Sequence, residues 1–278
     1  MDIVEAVFAG EICLVVFRGL AKMPLEPIWQ ITLPKLDNAD PVMVIHGAFL
    51  GLVGSIIAYL FAQMHFRVMA MYTTLGLMRN ERAVYRALLG CVVIVTLGML
   101  IPQTMFWGEL EFQQIATMSP TRELGHIWPT SGLIGFEMDN GWKAFIVGIT
   151  KMIAISFTIS GGYRGGYIFP AMASGAAFGR ALYYVCPFIP VQVCVLCLAG
   201  AINVAITRTS IATTLILVYL SGEQNSCSAV LASCLVALFA TGYMPFIKTQ
   251  FVRADIDACL YHDEDAAAIE EEVQEGHV

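Results

Sequence analysis

Long apolar stretches recur along the chain and alternate with short polar segments. Runs of this kind lie at 41–62, 87–101, 144–158, 191–207, 211–220 and 228–242. A straight helix needs about 20 apolar residues to cross the hydrocarbon core of a bilayer, and several of these runs approach that length. The pattern predicts helices near 4–22, 41–65, 83–102, 109–117, 142–160, 168–186, 190–206, 210–221 and 226–246.

Two of these helices are poorly suited to crossing a bilayer alone. The segment 168–186 is interrupted by Gly and Pro, and the segment 210–221 is short. Broken or re-entrant helices of this type are tolerated only where their free backbone is buried in protein or lines a water-filled path. The sequence therefore predicts an all-α, polytopic membrane protein with broken and re-entrant helices.

The composition supports a membrane protein and sets one segment apart. Only 13% of the residues are charged, against about 25% in an ordinary soluble domain. The net charge of −7 comes from the C-terminal end, because residues 263–278 hold seven of the 22 acids and no Lys or Arg. We expect one transmembrane domain over residues 1–260. We expect residues 261–278 to form an acidic, disordered tail on the cytoplasmic side, either simply solvated or in contact with a partner.

Basic residues predict the orientation of the chain in the membrane. The loop 66–86 is the densest basic cluster, and the positive-inside rule assigns it to the cytoplasm through Arg67, Arg79, Arg82 and Arg86. The loops 23–40 and 103–141 are then outside. One more crossing, by 142–160, brings the following glycine-rich stretch to the inner side or into the protein interior.

A few charges lie inside the apolar runs, where each is costly in lipid and usually faces protein or a water-filled cavity. Snorkelling or a structural ion pair is the simpler interpretation, and a role in function is the alternative. These residues are Glu11, Arg18, Lys151, Arg180 and Arg208.

The sequence lacks the motifs expected of a membrane-embedded enzyme. It contains no H-E-x-x-H, G-x-S-x-G or GxxxxGK[ST], and Ser174 has no histidine on a later membrane helix to serve as its base. Cys194 and Cys197 form a C-x-x-C without a second pair, inside an apolar run where cysteine acts as a small hydrophobe. We therefore predict no enzyme activity, no metal and no cofactor, and with a neutral membrane body no nucleic-acid partner.

The stretch SGGYRGGYIFPAMASGAAFG, residues 160–179, interrupts the apolar pattern with glycine. Glycines before a helix can present free backbone NH groups and the positive end of the helix dipole to an anion. Pro170 fits the first helical turn, where its missing NH costs no hydrogen bond. We interpret the four glycines at 161, 162, 165 and 166 as an anion-binding loop, with a flexible connection as the alternative. Gly175 and Gly179 have the GxxxG spacing of a helix-packing face.

This stretch resembles the CLC family of chloride channels and chloride/proton exchangers. In that family a helix ends in S-G and a loop of the form G-G-x-F-x-P follows, with backbone amides that bind chloride. Here Ser160-Gly161 precedes Gly165-Gly166-Tyr167-Ile168-Phe169-Pro170. The family's Phe falls on Ile168, and one residue is inserted before the glycine pair.

Other segments match the family in the same order. Residues 199–222 resemble a segment in which a helix ends in a basic residue followed by Ala-Pro and then restarts, with Arg208 as the basic residue and Thr209-Ser210 in place of Ala-Pro. Tyr219 stands where many members have Glu, and Lys151 matches a basic position in the helix before the motif. Residues 46–64 resemble the helix that opens the family's second half.

Two departures limit the resemblance. The family tyrosine that helps hold the central chloride aligns with Ile247, and the nearby Tyr243 is out of register. The first-half motifs G-S-G-I-P and G-K/R-E-G-P are absent. The family is built from two inverted halves with ion sites between them. The chain thus resembles the second half of this inverted-repeat fold, plus one preceding helix.

The resemblance implies chloride transport as a multi-pass integral membrane protein, as a channel or an exchanger. It implies a homodimer, or association with a first-half segment. Transport of another anion, and a non-conducting half-transporter that binds partners, are alternatives. The implied anion site comprises Gly165, Gly166, Tyr167, Ile168, Phe169 and Pro170, with Arg164, Tyr243 and Ile247 as further pore-associated residues.

Overall fold

The computed structural model describes residues 40–118, 132–163 and 165–243, with residues 12, 13, 15, 16, 19, 20, 27 and 29 before them. These residues form helices and no strand, so the all-α prediction is confirmed for this part of the chain. Among the described residues, three helices are long and apolar enough to cross a membrane: Pro41–Thr74, Ala83–Leu100 and Gly141–Ser160. The helices are α1 Pro41–Thr74, α2 Ala83–Leu100, α3 Glu109–Ala116, α4 Gly141–Ser160, α5 Ile168–Val185, α6 Val191–Thr207, α7 Ser210–Ser221 and α8 Cys227–Ala240.

Helix α1 is longer than its sequence pattern predicted. Its start is fixed by Asp40, whose side chain accepts a hydrogen bond from the Val42 NH at 2.9 Å. The prediction that the helix ends near residue 65 is wrong, because the following nine residues contain neither Gly nor Pro and continue the helix to Thr74. Gly76, with φ +65°, then ends it in the left-handed region that favours glycine. The predicted cytoplasmic loop 66–86 is correspondingly shorter.

Helix α6 lies at the centre of the fold. Every residue from Val191 to Ile206 is buried, as expected for a helix that is apolar on all sides. Helices α1, α5, α7 and α8 pack around it. By contrast, α2 lies at the periphery, where Gly90 and Gly98 are its buried residues. The exposed apolar side chains of α2 suit contact with lipid.

Small residues allow the central helices to approach closely. A β-carbon added at Gly175 would lie 2.5 Å from the Cα of Ala199, and one added at Gly179 would lie 2.5 Å from the carbonyl oxygen of Cys194. Both contacts join α5 to α6, which confirms the predicted packing role of the GxxxG pair. The same kind of contact joins α1 to α8 at Gly51.

Two of the charges predicted inside apolar runs bind backbone carbonyls in the protein. Arg180 is buried and donates to the carbonyl oxygens of Met138 at 2.5 Å and Gln114 at 3.4 Å. Arg208 donates to the Leu238 carbonyl at 3.4 Å and to the Thr241 hydroxyl at 2.7 Å. The prediction that these cations face protein is confirmed, and the snorkelling interpretation is wrong for Arg180. Glu11 and Arg18 lie outside the described residues.

The chain breaks and restarts its helix between α6 and α7. Helix α6 ends at Thr207, Arg208 adopts φ +62°, and α7 begins at Ser210. Helix α7 has 12 residues, so at about 1.5 Å per residue it is too short to cross a bilayer core of about 30 Å. The predicted helix restart is therefore present, with Arg208 as the capping residue.

Replacing Gly179 with valine is expected to prevent correct packing of α5 on α6. The added atoms meet the backbone of Cys194 and Val195, which cannot move aside as a side chain can, and overpacking of this kind costs about 1–3 kcal/mol or more. Size-exclusion chromatography and thermal unfolding in detergent would measure the loss. Gly165→Val is the control, because no described atom lies within 4 Å of its added β-carbon. Equal unfolding temperatures for the two variants would contradict the packing role.

Candidate functional site

The loop between α4 and α5 begins with a helix-ending turn. The NH of Gly162 donates to the Ile159 carbonyl at 2.9 Å, and the NH of Tyr163 donates to the Thr158 carbonyl at 3.1 Å. Gly162 has φ +85°, so this is the Schellman arrangement in which glycine ends a helix. The interpretation of all four loop glycines as anion-binding is therefore wrong for Gly161 and Gly162, which end α4.

The second glycine pair has a different environment. A β-carbon added at Gly165 or Gly166 would meet no described atom within 4 Å, and neither residue has the positive φ that excludes other side chains. Both are exposed. Neither packing nor backbone conformation among the described residues thus requires glycine at these positions. Their effect is to leave the backbone uncovered where the loop meets α5.

Helix α5 starts directly after this pair. Tyr167 is the N-cap residue, its φ and ψ are −87° and −24°, and no side-chain hydrogen bond caps the helix. The first NH groups of a helix have no partner inside the helix and carry the positive end of its dipole. Pro170 is the third helical residue and contributes no NH, as predicted for the first turn. The NH groups of Ile168 and Phe169 belong to this turn.

A cavity of about 480 Å³ opens beside the loop and the start of α5. A single water needs only about 10–15 Å³ of such space, so the cavity has room for a small hydrated anion. One wall is the loop and the first turn of α5, a second is α4, and a third is the segment after α2. Its lining includes Thr104, Phe106, Trp107, Lys151, Ile155, Thr158, Tyr163, Gly165, Gly166, Tyr167 and Pro170.

The charged groups around this cavity have both signs, and the one in its described lining is a cation. The Glu109 carboxylate accepts a hydrogen bond from the Trp107 indole in the wall at 3.0 Å, and Glu111 interacts with Lys151. Lys151 lines it, and the N-terminal end of α5 adds partial positive charge. No carboxylate is among the described residues that line the cavity. The guanidinium of Arg86 lies against Gly162, where an added β-carbon would collide with it. A lysine in the lining beside the positive end of a helix dipole is compatible with a small anion.

The predicted site residues fall into three groups. Gly165, Gly166, Tyr167 and Pro170 line the cavity together. Ile168 and Phe169 lie in the adjoining helical turn, with side chains that are not part of the lining. Tyr243 follows the end of α8 and is fully exposed, away from the cavity. Arg164, Ile247 and the acidic tail lie outside the described residues.

Two features near the site were not predicted from the sequence. Arg86 was predicted only as a marker of topology, although the loop folds against the start of α2. There the Tyr163 hydroxyl donates to the Ala87 carbonyl at 2.8 Å, across 76 residues of sequence. Phe106 and Trp107 form part of the cavity wall. No local sequence signal links either segment to the glycine motif, because the contacts arise from tertiary packing.

Comparison with known proteins identifies a family for this chain. The family model described as Voltage gated chloride channel matches residues 3–242. The matched range includes the whole lining of the cavity and all six predicted anion-site residues. None of the curated proteins matches the chain.

The two glycine pairs are expected to respond differently to alanine. Gly162→Ala should lower the unfolding temperature, because a left-handed conformation costs a non-glycine residue about 1–2 kcal/mol. The added methyl group would also displace Arg86. Gly166→Ala should leave stability unchanged or slightly raised, since alanine restricts the unfolded chain. Thermal unfolding in detergent, followed by tryptophan fluorescence, tests both. A comparable loss in the two variants would show that Gly166 is also structural.

Proposed function

The chain belongs to the voltage gated chloride channel family, and we propose that chloride crosses the membrane through the cavity at the start of α5. Membership implies chloride channel or transporter function in general terms and an integral membrane protein, in agreement with the three long apolar helices. The proposal assigns the anion a specific place and specific binding groups. The observation that carries it is a cavity that is lined by Lys151 and opens on a helix start without a side-chain cap.

In this proposal the anion is bound by backbone, not by a side-chain charge. The NH groups of Tyr167, Ile168 and Phe169 point outward from the start of α5 and donate to chloride. Gly165 and Gly166 keep the approach free of side chains, in agreement with the open space around both. Pro170 fixes the first turn without adding a donor.

Backbone binding also suits movement of the ion. Conduction requires a site that attracts the ion strongly enough to enter and weakly enough to leave. Neutral NH dipoles at a helix end supply about half of an elementary charge, less than a direct ion pair with arginine would supply. An anion held by these groups can therefore be exchanged rapidly with water in the cavity.

The assembly around this cavity is part of the same proposal. Residues 1–260 form the membrane domain and residues 261–278 a cytoplasmic tail. The opposite wall of the pathway comes from a first-half segment with the family's G-S-G-I-P and G-K/R-E-G-P motifs, and two such units form a dimer. Arg164 and Ile247 are the further residues we place near this pathway, whereas Tyr243 does not line the cavity. Transport as a channel and transport as an exchanger are both compatible with the site.

Replacement of Gly166 by valine is expected to lower chloride flux by about tenfold or more. The valine side chain would occupy the space in front of the helix start. A loss of about 1.4 kcal/mol of binding free energy already corresponds to a factor of ten. The chain is reconstituted in liposomes, alone and with a co-expressed first-half segment, and chloride efflux is followed with an electrode. Val84→Leu is the control, because Val84 is exposed at the start of α2.

Three results are informative. Loss of flux in Gly166→Val with normal insertion and unfolding temperature supports the proposal. Unchanged flux in Gly166→Val would show that the anion does not bind at this loop. No flux for the wild-type chain under either condition would contradict transport and favour the non-conducting, partner-binding alternative.

A further inference from the structure

Lys151 is a buried cation at the wall of the cavity. It lies in the middle of α4 with a side chain that is 3% exposed. Its Nζ donates to the carbonyl oxygen of Thr104 at 3.3 Å and to that of Phe106. These residues are 47 and 45 positions away in the sequence and belong to the segment between α2 and α3. Lys151 thus joins α4 to that segment.

The segment held by Lys151 leads directly to the anion-site helix. It begins with the 3-10 turn Pro102–Thr104 and ends at Gly108, which has φ +102°. A β-carbon added at Gly108 would lie 3.1 Å from the carbonyl oxygen of Phe169 and 2.6 Å from the Cβ of Ala173. Gly108 therefore packs against the first turns of α5. A continuous series of contacts runs from Lys151, through residues 104–108, to the turn with the proposed anion-binding groups.

The hydrogen bonds of Lys151 do not neutralise its charge. Both carbonyl acceptors are neutral, so they satisfy the N–H donors and leave the positive charge in place. Glu111 is buried and interacts electrostatically with Lys151, but it does not line the cavity, whereas Lys151 does. An anion in the cavity is therefore exposed to the field of the ammonium group more directly than to that of the carboxylate.

If Lys151 only linked α4 to the segment 104–108 by hydrogen bonds, the position would not require lysine. Glutamine can donate two hydrogen bonds to carbonyl oxygens without any charge, and a charge at membrane depth is costly and generally has a function. We propose that Lys151 is a positioning and electrostatic residue of the anion pathway. It sets the wall formed by residues 104–108 against α5 and raises the affinity of the cavity for anions. This inference rests on the proposed function, because it assumes that the cavity holds the transported anion.

The test compares chloride dependence of flux in variants of two lysines on the same helix. Lys151→Gln keeps a hydrogen-bond donor and removes the charge, Lys151→Met removes both, and Lys151→Arg keeps the charge. Lys143→Met is the matched control, because Lys143 lies at the exposed start of α4 in an ion pair with Asp139 at 2.7 Å. Flux is measured in liposomes with the first-half segment, over a range of chloride concentrations, together with the unfolding temperature.

The expected result is a rise of about tenfold in half-saturating chloride for Lys151→Gln and Lys151→Met, equivalent to about 1.4 kcal/mol. Lys151→Arg should stay much closer to wild type, and Lys143→Met should be unchanged. Unchanged half-saturation in Lys151→Gln would overturn the electrostatic role, even if the unfolding temperature falls. If Lys151→Met does not fold, Lys151→Gln decides the question.

Failure of this inference is distinguishable from failure of the proposed function. If wild-type flux is present and sensitive to Gly166→Val but half-saturation is unaffected by loss of the Lys151 charge, only the inference is wrong. If wild-type flux is absent or insensitive to Gly166→Val, the proposed pathway itself is wrong.

Discussion

The fold depends on the need to satisfy backbone hydrogen bonds where lipid offers none. Every helix end leaves carbonyl or NH groups without partners, and in the membrane interior each such group is costly. Three cations meet this need in the described part of the chain: Lys151, Arg180 and Arg208 each donate to carbonyl oxygens near the end of a helix or turn. These three charges in apolar runs therefore satisfy carbonyl groups that lipid would leave without a partner.

Close helix packing is the second condition, and it explains how the site is held in place. The hydrophobic effect does not drive helix association in lipid, so contact area and small residues decide which helices pair. The glycines at 175 and 179 bring α5 against the buried α6, and Gly108 brings the segment after α2 against the first turns of α5. The first turns of α5 and its middle are consequently held by different neighbours, and the loop before the helix lines the cavity.

Much of the fold was predictable from the sequence, because apolar runs mark where the helices lie and glycines mark where several of them end. The span 210–221 agrees with α7, and 168–186 and 142–160 each agree with their helix to one residue. The end of α1 was predicted too early, because a helix can continue beyond the end of an apolar run. Gly76 ends this helix instead. The glycine motif located the site, but Arg86 and residues 104–108 reach it only through contacts between distant parts of the chain.

The glycine motif shows why residue type alone did not define the site. Gly161, Gly162, Gly165 and Gly166 look equivalent in the sequence, yet the first pair lies in tight contact and ends α4, and the second pair lies in open space. A glycine required by conformation or packing is explained by the protein itself. A glycine with an ordinary φ and no neighbour among the described residues is not explained in this way, and either an approaching ligand or a flexible connection would account for it. Within one short loop, this difference separates the residues that build the turn from those that leave the backbone uncovered, and the proposed anion site uses the second pair.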